Sequence, residues 1–224
     1  MTGTQNGIGA SPGLRRFAAP REASEARNVD PECCALCGTP VLPGHRHLVD
    51  TQHRSLACAC TACGLLFTRE GVAGGRYRMV PDRVLRDPAG PLTDAEWASL
   101  AIPVNVAFFF VNSGLGRIVA SYPSPAGVTE CELDLAAWDE LAAARPLLRA
   151  LAPDVEAILV AATAPSAGDA GPRETYLVPI DACYSLAGAL RLNWHGFDGG
   201  AEVREILADY LGDLRSRAGV LERG

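Results

Sequence analysis

The sequence predicts an α+β fold: a small zinc-ribbon-like β module, then an α+β domain whose antiparallel sheet is covered by helices. Three observations predict it. Two cysteine knuckles, Cys34-Ala-Leu-Cys37-Gly38 and Cys60-Thr-Ala-Cys63-Gly64, leave 22 residues between Cys37 and Cys60, room for a β-hairpin that folds one knuckle onto the other. Thr93-Asp94-Ala95-Glu96 matches a capping box, which starts a helix. Beyond it, apolar runs and helical periodicity follow in the order α-ββ-α-ββ-α-α, as expected of an antiparallel sheet with helices on one face.

The elements follow along the chain. Residues 1–30 lack hydrophobic periodicity and are rich in Gly, Pro, Ser and Ala, which predicts a disordered arm. Residues 31–92 form the metal module. His45–Asp50 and Arg54–Cys60 alternate as two strands around a Thr51-Gln52-His53 turn, and Arg76–Val80 is a third strand that Pro81 ends. Residues 93–218 form the second domain. Its first helix is short because Pro103 stops it, and Val104–Val111, with Phe108, Phe109 and Phe110, suits a strand buried on both faces. Arg117–Tyr122 returns as its hairpin partner across Asn112-Ser113-Gly114. Asp134 caps a helix over Leu135–Leu151, bent at Pro146. Val155–Thr163 and Glu174–Ile180 make a second strand pair. Asp181 caps a helix to about Leu192, and Ala201–Arg217 is the last helix. Residues 219–224 are expected to be a flexible tail.

Composition bounds the function. No stretch approaches the ~18 apolar residues of a membrane span, and the first thirty residues lack the apolar core of a signal peptide, so a cytoplasmic protein is expected. In that compartment, eight cysteines with paired C-x-x-C spacing point to metal rather than disulfides. Charge is uneven. Met1–Gly90 carries eleven Arg against eight acids, and the remainder nine Arg against eighteen, which together give the net −6. The acidic half is a poor match for nucleic acid, since phosphate contacts need a basic face. Arg46, Arg54, Arg69, Arg76 and Arg78 are too scattered for a basic stripe and are expected to balance the formal −2 of a metal centre with four thiolates.

Cys34, Cys37, Cys60 and Cys63 are the expected ligands. Each knuckle places two thiolates on one tight turn, and the glycine after it accepts the positive φ that aims backbone N–H groups at sulfur. Tetrahedral S₄ suits Zn²⁺ and iron alike. Only Phe67 and Tyr77 lie near the knuckles in sequence, which favours zinc over a rubredoxin-like iron site. Cys33 and Cys58 are expected behind the ligands or in the core, and Cys131 and Cys183 in the core. His45 and His47 alternate on one strand face with Cys58 on the facing strand. A second metal site from these three, a His replacing one Cys as ligand, and hydrogen-bonded surface imidazoles are open alternatives. Trp194 to Gly200 reads as a contact surface or as a packed turn between helices. No Ser/His/Asp order, phosphate loop or nucleotide fingerprint is present, so an enzyme is not expected.

Several runs together resemble an uncharacterised bacterial family of unknown function. They are Cys34-Ala-Leu-Cys37-Gly38, His45-Arg46-His47-Leu48, Cys58-Ala-Cys60-Thr-Ala-Cys63, Gly75-Arg76-Tyr77-Arg78, Val80-Pro81-Asp82-Arg83, Tyr122-Pro123-Ser124-Pro125-Ala126-Gly127 and Leu177-Val178-Pro179-Ile180-Asp181. The resemblance spans roughly residues 31–218 and takes in His45, His47 and Cys58, but not Cys33. The family is one associated with gene neighbourhoods of uptake nickel–iron hydrogenases in actinobacteria. The resemblance therefore implies a non-enzymatic accessory protein in hydrogenase assembly or maturation, with a hydrogenase subunit or precursor as partner. It brings no catalytic residues. A rubredoxin-like electron carrier and a zinc-ribbon transcription regulator are the alternatives, the second disfavoured by the acidic balance.

Overall fold

In the computed structural model, residues 31–221 are described, apart from 70, 163–164, 167–168 and 197–198. The expected arm, residues 1–30, lies outside the described residues, as do 222–224 of the expected tail.

The cysteine-rich region is built on a three-stranded antiparallel sheet. Strands β1 (Arg46–Asp50) and β2 (Ser55–Ala59) form the expected hairpin, and β3 (Tyr77–Met79) pairs with the other edge of β1. Pairing runs Arg46 with Ala59, His47 with Cys58 and Leu48 with Ala57. A short helix, α1 (Thr61–Leu65), follows β2, with Cys60 as its N-cap.

The second region is a seven-stranded sheet. Strands β4 (Leu85–Arg86), β5 (Val106–Asn112), β6 (Arg117–Ser124), β7 (Gly127–Cys131) and β8 (Glu156–Ala162) enter it first. After the small ribbon β9 (Pro165–Ser166) and β10 (Asp169–Ala170) come β11 (Arg173–Pro179) and β12 (Gly219–Val220). The order across the sheet is β12-β4-β11-β8-β5-β6-β7, antiparallel except that β12 runs parallel to β4. The fold is α+β with an antiparallel sheet and packed helices, as the sequence predicts.

Helices α2 (Asp94–Ser99), α3 (Leu135–Ala144), α4 (Pro146–Arg149), α5 (Ile180–Leu192) and α6 (Gly200–Arg217) start largely where the sequence places them. Thr93 and Glu96 form the full capping box, and Asp134 Oδ1 accepts from the N–H groups of Ala136 and Ala137 at 3.0 and 3.1 Å. The expected helix over 135–151 is broken rather than bent. Arg145 takes an extended conformation, because the residue before a proline is pushed out of the helical region. Its guanidinium is thereby held in a buried network, donating to Asp87 Oδ2 and the Gly90 carbonyl, each at 2.8 Å, and to Glu96.

The helices cover both faces, not one. Phe108 and Phe110 join Leu159, Tyr176 and Val178 in a core closed by Leu186 and Leu190 of α5 and Leu211 and Leu214 of α6. Phe109 and Ile158 face the other way, into a core with Trp97 of α2, Trp138 and Leu141 of α3 and Leu147 of α4. Strand alternation makes this unavoidable: a run of three phenylalanines must bury rings on opposite sides.

The two regions are continuous. Residues from Glu32 onward form one compact unit. Val49 and Val80 belong to the first core, and Leu85–Arg86, on the module side of the expected 92/93 boundary, pairs with β11. Gly219–Val220, expected in the tail, pairs with the same two residues. Among the described residues, no helix is long and apolar enough to cross a membrane.

Candidate metal centre

The hairpin brings Cys34, Cys37, Cys60 and Cys63 together, with their sulfurs within 4.8 Å of one another. The first knuckle is a tight turn in which Gly38 N–H donates to the Cys34 carbonyl at 2.8 Å. Gly38 has the expected positive φ of 73°. Gly64 does not. It lies within α1, and a Cβ there would come within 3.3 Å of Arg46 Cδ and 3.6 Å of Met79 Sδ, so this glycine serves close packing rather than turn geometry. Ala35 N–H donates to the Cys58 carbonyl at 2.8 Å, which pins the first knuckle to β2.

Backbone dipoles prepare the cluster. The N–H of Cys60, together with those of Leu36 and Cys37, brings the buried Cys34 thiol down to about 6 against the opposing effect of burial. Cys37 Sγ lies 3.4 Å from Thr39 Oγ1, and hydrogen bonding from Thr39 lowers its pKa as well. Cys63 is pushed up to about 12, first by its hydrogen bond with the Cys60 sulfur. Four adjacent sulfurs cannot all carry charge without a cation between them. Their spacing fits one. A tetrahedron with metal–sulfur bonds of about 2.3 Å puts sulfurs ~3.8 Å apart, and Cys37 and Cys60 stand 3.8 Å apart. The four thiols can hold a metal ion.

Four of the five expected charge-balancing arginines are engaged elsewhere. Arg46 pairs with Asp82, Arg54 with Glu130, Arg76 with Asp50 and Arg78 with Asp154. A guanidinium gains more from a carboxylate in fork geometry than from a soft, diffuse thiolate.

Cys33 is exposed, Cys183 is buried in the first core, and Cys131 is half-buried against the second. His45, His47 and Cys58 converge beside the hairpin, with one ligand atom from each within 4.8 Å of the others. Asp181 does not cap α5 by its side chain. The N-cap is Pro179, and the Asp181 carboxylate instead meets His47 Nδ1 at 2.8 Å, holding that imidazole above its ordinary pKa. Sequence reading missed this partner because 134 residues separate the two, and a first-turn Asp carries the same signal in either role.

A cleft of about 610 Å³ lies where the hairpin meets the sheet, with Val49, His53, Arg54, Phe110, Glu130 and Tyr184 among its walls. Trp194 packs against the first core and donates its indole N–H to the Gly196 carbonyl at 3.1 Å, which favours the packed-turn reading; Phe197 lies outside the described residues.

The family model for DUF5947, a family of unknown function, matches residues 33–218. The chain belongs to this family. Its span takes in both cysteine knuckles, the His45/His47/Cys58 group and the whole seven-stranded sheet except β12. Comparison with curated proteins and with solved structures returned no match.

Proposed function

We propose that this DUF5947 member is a zinc-binding, non-enzymatic accessory protein of the cytoplasm that acts through protein–protein contacts. In this reading Cys34, Cys37, Cys60 and Cys63 hold a structural Zn²⁺. The observation that carries it is the sulfur cluster itself: four thiols, closed within 4.8 Å, with backbone N–H groups aimed at Cys34. A closed S₄ set leaves no coordination position for a substrate, which is the mark of a structural site. The acidic balance of the chain after Gly90 supports a protein partner over nucleic acid. The partner proposed is a nickel–iron hydrogenase subunit or precursor, and this part rests on the family resemblance alone.

Two experiments test the reading. Absorption and elemental analysis of freshly purified protein should show a colourless sample with zinc bound at the four cysteines. Ferric-thiolate colour would replace the structural role with electron transfer. Affinity capture from a hydrogenase-expressing host should recover a hydrogenase subunit or precursor by mass spectrometry. Recovery of none under any growth condition removes the hydrogenase role and leaves the zinc assignment standing.

A further inference from the structure

We infer that His45, His47 and Cys58 form a second metal site, separate from the four-cysteine cluster, that binds a Zn²⁺-class divalent cation and keeps its fourth position open to water or an exogenous ligand. Placement comes from the hairpin. His47 sits opposite Cys58 in the β1–β2 register, and cross-strand partners share a face. His45 is two residues before His47 and so shares that face; the two imidazole rings are 4.7 Å apart.

The hydrogen bonds around the rings set their tautomers. His45 Nδ1 lies 3.0 Å from the Leu42 carbonyl oxygen and 3.7 Å from Glu32 Oε2. His47 Nδ1 lies 2.8 Å from Asp181 Oδ2. A carbonyl or carboxylate only accepts, so the proton belongs on Nδ1 in both rings, and Nε2 of each is left as a lone-pair donor. A carbonyl on one histidine and a carboxylate on the other is the arrangement that orients metal-binding imidazoles.

A satisfied structural histidine would have a second partner. His45 does not: its Nε2 is buried and has no hydrogen-bond partner among the described residues. A buried polar atom left unpaired is costly, and a cation shared with His47 and Cys58 removes that cost. Two nitrogens and a sulfur suit Zn²⁺ or Co²⁺, and three protein ligands leave a tetrahedral ion one position short. The His47 and Asp181 side chains are about one-quarter exposed, so solvent reaches this side of the site. The four-cysteine cluster is closed; this one is open.

The test is the metal stoichiometry of the full chain, read by elemental analysis after Zn²⁺ loading and desalting, with circular dichroism to confirm folding. Wild type should hold two equivalents. Cys58→Ser and His45→Gln should each remove one equivalent and leave the four-cysteine equivalent bound, whereas Cys37→Ser, which takes the order of the hairpin with it, should remove both, so loss at the second site is read apart from loss at the first. One equivalent in wild type, or two retained in both Cys58→Ser and His45→Gln, would overturn the second site. Should those variants misfold, Asp181→Asn serves in their place, since Asp181 only positions His47. It should weaken one equivalent about 10–100-fold and leave the other unchanged, and equal affinity for both would count against the proposal. With Co²⁺ as the probe, thiocyanate should shift the bands of the second equivalent, whereas an unresponsive spectrum would show that its fourth position is closed.

Discussion

The cysteine hairpin and the seven-stranded sheet obtain their order from different chemistry. In the hairpin, the buried apolar side chains are few, chiefly Leu48, Val49 and Ala59, and polar groups do much of the organising: the sulfur cluster, the Asp50–Arg76 pair and the His47–Asp181 bond. The sheet is the reverse. Phe108, Phe109, Ile158, Leu159, Tyr176 and Leu177 are essentially inaccessible, and two apolar cores lie on its opposite faces. A small module cannot bury enough surface to offset the entropy of ordering its chain, and bonds to a metal at the four thiols would stand in for a core. The hairpin is fastened to the sheet region by Val49 and Val80 in the first core and by polar links, among them Arg54 to Glu130 and Arg78 to the Pro153 carbonyl at 2.7 Å.

The contrast is sharpest on loss of the cluster. Apparent binding energy for a structural zinc is on the order of 10 kcal/mol at neutral pH. Cys37→Ser, or a strong chelator, should therefore abolish amide-exchange protection in β1–β3 and α1 while β5, β8 and β11 stay protected. The border should fall near Val80, since Val84 and Leu85 already belong with the sheet. A single transition that unfolds both regions together would break the distinction.

The converse change lies in the sheet. Phe109 is fully buried, with Trp138 at 4.9 Å and Trp97 at 6.3 Å between ring centroids. Phe109→Ala should cost about 3–5 kcal/mol in chemical denaturation and leave metal content unchanged. Loss of metal in this variant would show that the hairpin depends on the sheet core.

A smaller effect is expected at the first helix. Thr93→Ala removes the capping box, in which Glu96 N–H donates to Thr93 Oγ1 at 3.2 Å and Thr93 N–H donates to Glu96 Oε2 at 2.7 Å. It should lower stability by about 1 kcal/mol, measured as a shift in denaturation midpoint with the hairpin's exchange pattern intact.

The smallest change should appear in the wild type on acidification. Asp50 receives hydrogen bonds from Arg76 at 2.8 Å and from the Gln52 and His53 backbone N–H groups, and Arg76 above all holds its carboxyl well below the usual carboxylate range. A depressed folded-state pKa stabilises fully above the unfolded value of about 4 and loses that contribution as pH falls below it. Hairpin protection in wild type should thus weaken progressively below pH ~4. Asp50→Asn should be weaker at neutral pH and lose this acid dependence, and an unchanged acid limb would remove Asp50 from the account.

Local signals were legible where neighbours in sequence are partners in space. The knuckle spacing brought four sulfurs together, the capping box and Asp134 marked true helix starts, and the turn at Thr51 separated two real strands. The three-phenylalanine run carried more than its strand: rings buried on both sides already required helices on both faces, against the one-faced layer read from element order. Strand β7 was not legible, because Pro123 and Pro125 interrupt the strand pattern just before it. Instead, β6 continues through Pro123, which pairs with Val128 near the edge of the sheet.

By itself, then, the sequence determined what short-range geometry dictates: cysteine knuckles, caps, strand alternation and the α+β class. Tertiary structure alone decided that two-residue segments such as Leu85–Arg86 and Gly219–Val220 are strands, since segments that short have no periodicity and exist only by pairing. It also decided that Asp181 orients His47 rather than capping its own helix, and that Gly64 makes room for Arg46. Those outcomes depend on contacts between residues far apart in the chain, and the energy of such contacts is realised only when the packed elements bring them together.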